Sequence, residues 1–183
     1  MGSPVPRDVA LHLAATESVG PDVSRDRFRD AMSRLGAPVV LVTTDGVAGR
    51  HGLTVSAITS VSDEPPTVLV CLNRANRSHD AFLRNGVVGI SILGQGHDTL
   101  AATFASSRLS SDEKFGHGAW RADGSGAPLL EDAPVTLDCT IEARHAAGSH
   151  DVLFCRVRSV GLHARPRHGL AWFSRRFHLL PAD

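Results

Sequence analysis

The sequence predicts a mostly β protein: an antiparallel sheet closed into a barrel, with a few short helices. Seven stretches show the continuous or alternating apolar pattern of strands, and only short helical patterns stand between them. A parallel, doubly wound sheet would need a crossover helix after nearly every strand, so the antiparallel arrangement is favoured. The chain has 183 residues, of which 42% are hydrophobic and 21% charged, which suits one globular core.

The first predicted element is a helix that begins after Ser24 and ends before Gly36. A serine hydroxyl can cap the first amides of a helix, and glycine commonly ends one. Apolar residues recur at helical spacing between the two. Residues 1–24, which mix Pro, Gly, Ser and Asp, are expected to form a mobile N-terminal arm, and a role for this arm in clasping a dimer stays open. Residues 25–183 are expected to form one domain.

The remaining elements follow in order along the chain. The predicted strands are 38–44, 52–62, 67–73, 87–93, 135–144, 151–160 and 170–178. Two short helices are expected to begin at Ser78 and Asp98, each capped by that side chain. The segment 106–132 is rich in Gly, Ser and charged residues, so we expect a long excursion from the barrel.

Composition limits the classes of partner and compartment. The 19 basic residues, all arginine except Lys114, balance 19 acidic residues, so charge gives no case for nucleic acid or an anionic membrane. The apolar runs are too short to span a bilayer and no signal-peptide pattern is present, so we expect a cytoplasmic protein. The cysteines Cys71, Cys139 and Cys155 have neither disulfide-framework nor zinc spacing, and we expect buried thiols.

Three familiar catalytic or binding patterns are disfavoured. The segment 94–96 reads Gly-Gln-Gly between a strand and a helix, but the rest of a dinucleotide fingerprint is missing, so a tight turn is predicted. Ser-His-Asp occurs at 78–80 and at 149–151, yet consecutive side chains diverge and cannot form a catalytic relay. The ten histidines show no metal-ligand spacing, so no metal site is expected.

Three other segments could bind a ligand. The loop 73–80 combines a helix N-terminus with two arginines, which suits a phosphate, although a capped helix with solvated arginines fits as well. The strand 52–60 carries small and hydroxyl side chains that would let a flat ligand approach, or it is an edge strand facing water. His150 follows a glycine at a hairpin tip, where it either faces a pocket and donates a hydrogen bond or is solvated.

The order of these segments resembles that of the short-chain flavin reductases, the small reductase components of two-component flavin-dependent monooxygenases. The resemblance extends over about residues 28–180. Its motifs, in order, are Gly-Leu-Thr-Val-Ser-Ala at 52–57, Glu-Pro-Pro-Thr-Val-Leu-Val-Cys at 64–71, the segment from Asn73 to Ser78, Phe104-Ala105-Ser106, Lys114-Phe115, Gly148-Ser149-His150 and Arg175-Arg176-Phe177.

The resemblance implies a flavin-binding split β-barrel, generally a homodimer. Such proteins transfer a hydride from NADH or NADPH to FAD or FMN, and the reduced flavin then leaves for a separate monooxygenase. We favour NADH, although Arg165 and Arg167 could meet the 2′-phosphate of NADPH. Three alternatives stay open: a split-barrel oxidase that holds its flavin tightly, a non-enzymatic flavin-binding or electron-transfer protein, and a cofactor-free interaction barrel.

The resemblance also implies site residues. Those expected along the flavin ring and ribityl chain are Thr54, Val55, Ser56, Ala57, Thr59, Ser60 and Val61. Those expected near the ribityl chain, the phosphate and any adenine are Asn73, Arg77, Ser78, Ala105, Ser106, Lys114 and Phe115, with Arg77 and Lys114 neutralising the phosphate. His150 is expected near the nicotinamide, as the catalytic residue.

Two departures from the family pattern bear on these expectations. Ser149 stands where the family usually has an acidic residue before the histidine. The last strand lacks the tyrosines of many relatives, so Trp172, Phe173 or Phe177 would supply the aromatic wall of the flavin pocket.

Overall fold

The computed structural model of the chain describes residues 23–164 and 168–182. Its contacts divide the chain into two units, Met1–Met32 and Ser33–Asp183. The described part of the first unit is essentially helix α1 (Arg25–Ser33), where Ser24 Oγ accepts a hydrogen bond from the Arg27 amide at 3.2 Å, as predicted. The expected N-terminal arm lies outside the described residues except for its last two.

The described residues of the second unit form twelve strands and three helices. The strands are β1 (Ala37–Pro38), β2 (Val40–Thr44), β3 (His51–Val55), β4 (Ile58–Asp63), β5 (Pro66–Asn73), β6 (Val87–Ile92), β7 (Trp120–Ala122), β8 (Pro128–Leu130), β9 (Val135–Ala147), β10 (His150–Leu162), β11 (Gly169–Phe173) and β12 (Arg176–Leu180). The helices are α2 (His79–Asn85), α3 (Asp98–Ala105) and α4 (Ser111–Phe115).

Seven of these strands form one sheet in the order β3-β2-β6-β9-β10-β5-β4, and every pairing in it is antiparallel. The antiparallel prediction is therefore confirmed. Strands β1, β11 and β12 form a second sheet, and β7 and β8 form a hairpin of their own. Long strands β9 and β10 pair along almost their whole length, with two register shifts.

Several element predictions need correction. The predicted strand 52–62 is two strands, because Ser56 and Ala57 belong to neither β3 nor β4. The predicted strand 170–178 is a hairpin, whose turn residues Ser174 and Arg175 have φ values of 49° and 60°. The segment 106–132 is an ordered part of the fold that contains α4 and the β7–β8 hairpin.

The predicted side-chain caps of α2 and α3, unlike that of α1, are wrong. Ser78 stands at the N-cap of α2 but its side chain makes no capping hydrogen bond, because its backbone is already helical. At α3 the N-cap position is held by His97, and Asp98 is the first helical residue. The buried-thiol prediction is confirmed for Cys139 and Cys155, whereas Cys71 is half-buried.

Strand β2 separates two hydrophobic clusters and is buried on both faces. Val40 and Val42 point into the first cluster, which lies against the large sheet and is covered by Phe82 of α2. Leu41 points the other way, into the second cluster, where Phe104 and Phe115 bring α3 and α4 onto the sheet. Because successive side chains of a strand alternate between faces, this one strand anchors both layers.

Candidate functional site

A cavity of about 600 Å³ lies where strand β3, the β5–α2 loop and the chain from α3 to α4 meet. This volume is within the usual range for small-molecule sites. Its wall consists of His51, Gly52, Leu53, Thr54, Asn73, Ala75, Asn76, Arg77, Ser78, Phe104, Ala105, Ser106, Ser107, Leu109, Ser110, Ser111 and Lys114. Three separate parts of the chain thus form one concave surface, which we call the main cavity.

Lys114 supplies a buried positive charge to the main cavity. Ser110 and Glu113 cap α4 reciprocally, and this short helix holds the Lys114 side chain inward, where it is 8% exposed. Its Nζ donates hydrogen bonds to the carbonyls of Phe104, at 3.0 Å, and Gly52, at 3.5 Å. Burial lowers the pKa of Lys114 below its ordinary value, and the nearby positive charge of Arg77 lowers it further.

Arg77 is the second cation of the main cavity. One of its guanidinium nitrogens donates to the carbonyls of Ser107 and Leu109, at 2.5 and 3.0 Å, and so holds the α3–α4 connection beside the β5–α2 loop. Within residues 23–164 and 168–182, no carboxylate forms an ion pair with either Arg77 or Lys114. The positive charge at this end of the cavity is therefore not neutralised by the described chain.

The β5–α2 loop owes its shape to two asparagine side chains. Asn73 Oδ1 accepts from the Ala75 amide and Asn76 Oδ1 accepts from the Ser78 amide, both at 2.9 Å. Such Asx turns replace regular backbone pairing over two residues. They bring Arg77 and Ser78 to the cavity wall, two residues that the family resemblance implied for the ligand site.

A smaller, apolar cavity of about 180 Å³ adjoins the first, and we call it the aromatic slot. Its wall consists of Val39, Thr54, Val55, Ser56, Ala101, Ala105, Trp172 and Phe177. The Trp172 and Phe177 rings meet edge-on, with centroids 4.9 Å apart. Thr54 and Ala105 line both cavities, so a polar, cationic compartment and an apolar, aromatic one share a wall.

Most of the expected site residues lie on these two surfaces. Those on the wall of the main cavity are Thr54, Asn73, Arg77, Ser78, Ala105, Ser106 and Lys114. Those on the wall of the aromatic slot are Thr54, Val55, Ser56, Ala105 and Phe177. Trp172, one of the three suggested aromatic-wall residues, also lines the slot, whereas Phe173 does not.

The other expected residues lie elsewhere. Ala57 is exposed between β3 and β4, and Thr59, Ser60 and Val61 are exposed on β4, the edge strand of the large sheet. Phe115 belongs to the second hydrophobic cluster, where its ring meets Phe104 edge-on at 5.2 Å. Arg165 and Arg167 are outside the described residues.

His150 lies beside the main cavity and is not part of its wall. It begins β10 and pairs with Asn73, the last residue of β5, which does line the cavity. Its Nδ1 is 3.0 Å from Ser149 Oγ, so the serine that departs from the family pattern contacts the imidazole directly. Neighbouring strands are about 4.8 Å apart, so His150 is one strand removed from the cavity edge.

Sequence reasoning missed several wall residues. Ser107, Leu109, Ser110 and Ser111 line the cavity, although they were interpreted only as part of a long excursion. His51, which also lines it, was not considered. The capping pattern Ser110-x-x-Glu113 was a signal for α4, and therefore for the position of Lys114.

Two classes of feature are not found in the part of the chain that the structure describes. No three His, Cys, Asp or Glu side chains there are grouped closely enough to hold a metal ion. None of the described helices has both the length and the apolar character needed to cross a membrane.

Comparison with known proteins gives a consistent relationship over most of the chain. Residues 32–181 match the model of the flavin reductase like domain. The chain is 47% identical over 169 residues to FMN reductase (NADH) RutF 1 of Methylorubrum extorquens, covering 92% of this chain and 83% of that protein. It is 40% identical over 178 residues to FMN reductase (NADH) RutF of Variovorax paradoxus, covering 97% and 98%.

Solved structures agree in fold. BorF, the flavin reductase component of a bacterial two-component tryptophan halogenase, has a TM-score of 0.81 at 28% identity, covering 87% of this chain and all of that one. The Streptomyces globisporus NADH:FAD oxidoreductase SgcE6, in complex with NAD and FAD fragments, has a TM-score of 0.80 at 27% identity, covering 87% and 94%. The fold is thus the split β-barrel of the flavin reductases, and the chain belongs to the flavin reductase like domain family.

Proposed function

We propose that this chain is an NADH-dependent flavin reductase whose preferred flavin is FMN. The observation that carries the proposal is the joined pair of cavities, one cationic and polar, the other apolar and aromatic. FMN has matching halves, a phosphate on a polar chain and a flat ring system. The names of the RutF relatives support FMN and NADH, and the fragments bound to SgcE6 make FAD the second flavin to test.

The cationic end of the main cavity suits the phosphate. A phosphomonoester carries a charge of about −1.5 to −2 at neutral pH and accepts several hydrogen bonds. It would neutralise Arg77 and Lys114, which have no carboxylate partner among residues 23–164 and 168–182. The Ser78 and Ser106 side chains on the same wall would complete the polar contacts.

The aromatic slot suits an edge of the ring system. Trp172 and Phe177 offer apolar ring surface, and Val55, the last residue of β3, and Ser56, which follows it, line the same slot. Small side chains there let a flat ligand approach the backbone. We expect amides of the segment 54–57 to donate to the ring as it gains negative charge, as preorganised donors do.

When bound, NADH would supply a hydride and the flavin would accept it, so that NADH is oxidised and the flavin is reduced. The chain's part is to hold the two partners within reacting distance, because such transfer depends on alignment. His150 pairs with Asn73, which lines the cavity. From there its ring N–H would orient the carboxamide of the nicotinamide. No residue has to act as a nucleophile, which agrees with the lack of a conventional catalytic constellation in the sequence.

The proposal extends to two partners. Reduced flavin would pass to a separate flavin-dependent monooxygenase, as the halogenase partnership of BorF illustrates for a relative. The second proposed partner is another copy of this chain. Val160 and Leu162 on β10 are 58% and 74% exposed, and a homodimer would bury such side chains. Light scattering on the purified protein tests the dimer, and a monomer at micromolar concentration would refute it.

The test of the reductase is the loss of NADH absorbance with FMN, FAD or no added flavin, repeated with NADPH. We expect flavin-dependent oxidation that is fastest with NADH and FMN. No oxidation with saturating FMN or FAD would refute the enzyme, and flavin binding without turnover would indicate a carrier. A protein that stays yellow through gel filtration and consumes oxygen without NADH would instead be a split-barrel oxidase.

A further inference from the structure

The two Ser-His-Asp segments meet in the structure, in a crossed pair. His79 of the first segment and Asp151 of the second are joined by a contact of 2.9 Å between Nε2 and Oδ2. Neither segment forms a complete relay within itself, but the expectation that consecutive side chains diverge is wrong in part, because His79 contacts Asp80 and Ser149 contacts His150. The pair joins residues 72 positions apart, at the start of α2 and near the start of β10.

This contact is one of the most buried polar contacts in the described chain. His79 is 6% exposed and Asp151 is 2% exposed. The other imidazole nitrogen, Nδ1, faces Asp80 at 3.1 Å, but the Asp80 side chain is almost fully exposed and has water as an alternative partner. Arg144, whose guanidinium is 3.7 Å from the same Asp151 oxygen, is half-exposed. The buried carboxylate therefore depends on an N–H at His79 Nε2 for its close hydrogen bond.

The pair connects two parts of the proposed site. His79 directly follows Arg77 and Ser78 on the cavity wall, and Asp151 directly follows His150. Strand β10 is fixed on both sides, by β5 and β9, whereas the β5–α2 loop is held by short turns. The hydrogen bond therefore connects the end of the β5–α2 loop to a strand that is paired on both sides.

A backbone contact supports the same connection. The Arg74 amide donates to the Ser149 carbonyl at 3.0 Å, and the Arg74 guanidinium contacts the Gly148 carbonyl. The loop is thus attached to the β9–β10 turn at its first residue and to β10 at its far end. Between these two attachments lie the residues that face the main cavity.

We propose that His79 and Asp151 are positioning residues that hold the β5–α2 loop, and with it Arg77 and Ser78, in place to bind the flavin phosphate. This inference rests on the proposed function. Charge-assisted hydrogen bonds to a phosphate require correct donor geometry, so releasing the loop weakens them. The aromatic slot proposed for the flavin ring has no residue of this loop in its wall, so we expect ring binding to be independent of the pair.

The test compares FMN with riboflavin, which has the same ring system without the phosphate. His79→Phe keeps a planar ring but removes the donor, and Asp151→Asn keeps the shape but removes the charge. We expect either change to raise the Kd for FMN by about fivefold or more, and the Kd for riboflavin by less than about twofold. Equilibrium quenching of flavin fluorescence measures both without reliance on turnover.

The chain offers a matched control in His97. This histidine is also 6% exposed, and its Nε2 lies 3.2 Å from Asp132, but it stands at the start of α3 and lines neither cavity. His97→Phe should leave both dissociation constants within about twofold. A merely structural role for His79 would give equal changes for FMN and riboflavin, or the same changes as His97→Phe, and either result would overturn the proposal.

Combined variants add a readout that stability alone does not change. Because the pair acts through Arg77 and Ser78, His79→Phe should have little further effect on the Kd for FMN once Arg77→Ala and Ser78→Ala are both present. Fully multiplicative effects would overturn the proposal. If His79→Phe does not fold, Asp151→Asn serves in the same cycle. Wild-type protein that turns over NADH and flavin but binds FMN and riboflavin equally would refute the phosphate site, whereas a wild type without turnover would refute the reductase.

Discussion

Replacing Lys114 with methionine should weaken FMN binding strongly while leaving the fold intact. Methionine keeps the length and apolar character of the lysine stem, which is buried. The change removes one cation near the expected phosphate. A hydrogen bond to a charged group contributes about 1–3 kcal/mol, so we expect the Kd for FMN to rise about 5- to 150-fold.

The same change should have little effect on stability. Loss of Nζ leaves the Phe104 and Gly52 carbonyls without that donor, but it also removes a buried charge whose pKa is already lowered by desolvation. These effects oppose each other, so the free energy of unfolding should change by about 1 kcal/mol or less. Urea denaturation in the absence of flavin measures this quantity.

The pH dependence of stability and of FMN affinity follows from the lowered pKa of Lys114. Because the folded protein holds the pKa of Lys114 below 10.5, the wild type is destabilised while Lys114 is charged, and it gains stability as pH rises from the lowered pKa towards 10.5. A bound phosphate favours the charged form, so FMN affinity should fall over the same range. Lys114→Met should abolish both trends.

Riboflavin provides the control for this experiment, because it lacks the phosphate. Its Kd should be nearly the same for wild type and Lys114→Met at neutral pH. If FMN and riboflavin lose affinity equally, Lys114 acts on the ring or on the shape of the cavity, and the assignment of the phosphate to this end is refuted. An unchanged Kd for FMN would place Lys114 outside the ligand contacts altogether.

Four further predictions test other parts of the structure. His150→Ala should raise the KM for NADH much more than the KM for flavin in steady-state kinetics, and equal effects would remove it from the nicotinamide site. Trp172→Leu should raise the Kd for riboflavin and FMN by the same factor, about 2- to 12-fold from the loss of ring contact, as measured by fluorescence quenching. Cys155, whose pKa burial raises to about 12, should not react with a thiol reagent in the native protein at neutral pH until urea unfolds it. Gly89→Ala should destabilise the fold by about 1–3 kcal/mol in urea denaturation, because the added Cβ would lie 2.5 Å from the Pro128 carbonyl and 2.5 Å from the Thr43 hydroxyl oxygen, and an unchanged midpoint would contradict this packing.

The sequence pattern identified those strands that are apolar over most of their length. The segments that became β2, β5 and β6 are apolar runs bounded by turn residues, and local physics places them correctly. The break at Ser56–Ala57 was missed because small residues fit a strand and an interruption equally well. The β11–β12 turn was missed because Ser174 and Arg175 adopt left-handed φ values without the glycine or asparagine that usually indicates them.

The site was only partly predictable for a different reason. Residue types in the β5–α2 loop indicated phosphate binding, the family resemblance implied the same for Lys114, and these residues do line one cavity. The partners of Arg77 are backbone carbonyls, which every residue has, so no sequence pattern could indicate them. Likewise, the contact of His79 with Asp151 depends on which strands pair and in what register, and this information is long-range.

The distribution of charge argues for an anionic ligand more strongly than any single motif does. Elsewhere in the described chain, ion pairs between arginine and carboxylate are frequent: Arg50–Asp112, Arg121–Asp123, Arg144–Asp151, Arg156–Glu142 and Arg158–Glu142. At the main cavity the two cations instead donate to carbonyl groups, and the proximity of Arg77 lowers the pKa of Lys114. Two like charges facing one partly buried space repel each other, and an anion that enters this space removes the repulsion. The two cations, with no carboxylate ion pair among the described residues, are therefore suited to an anion, and we expect the adjoining aromatic slot to favour a phosphate that is attached to a flat ring.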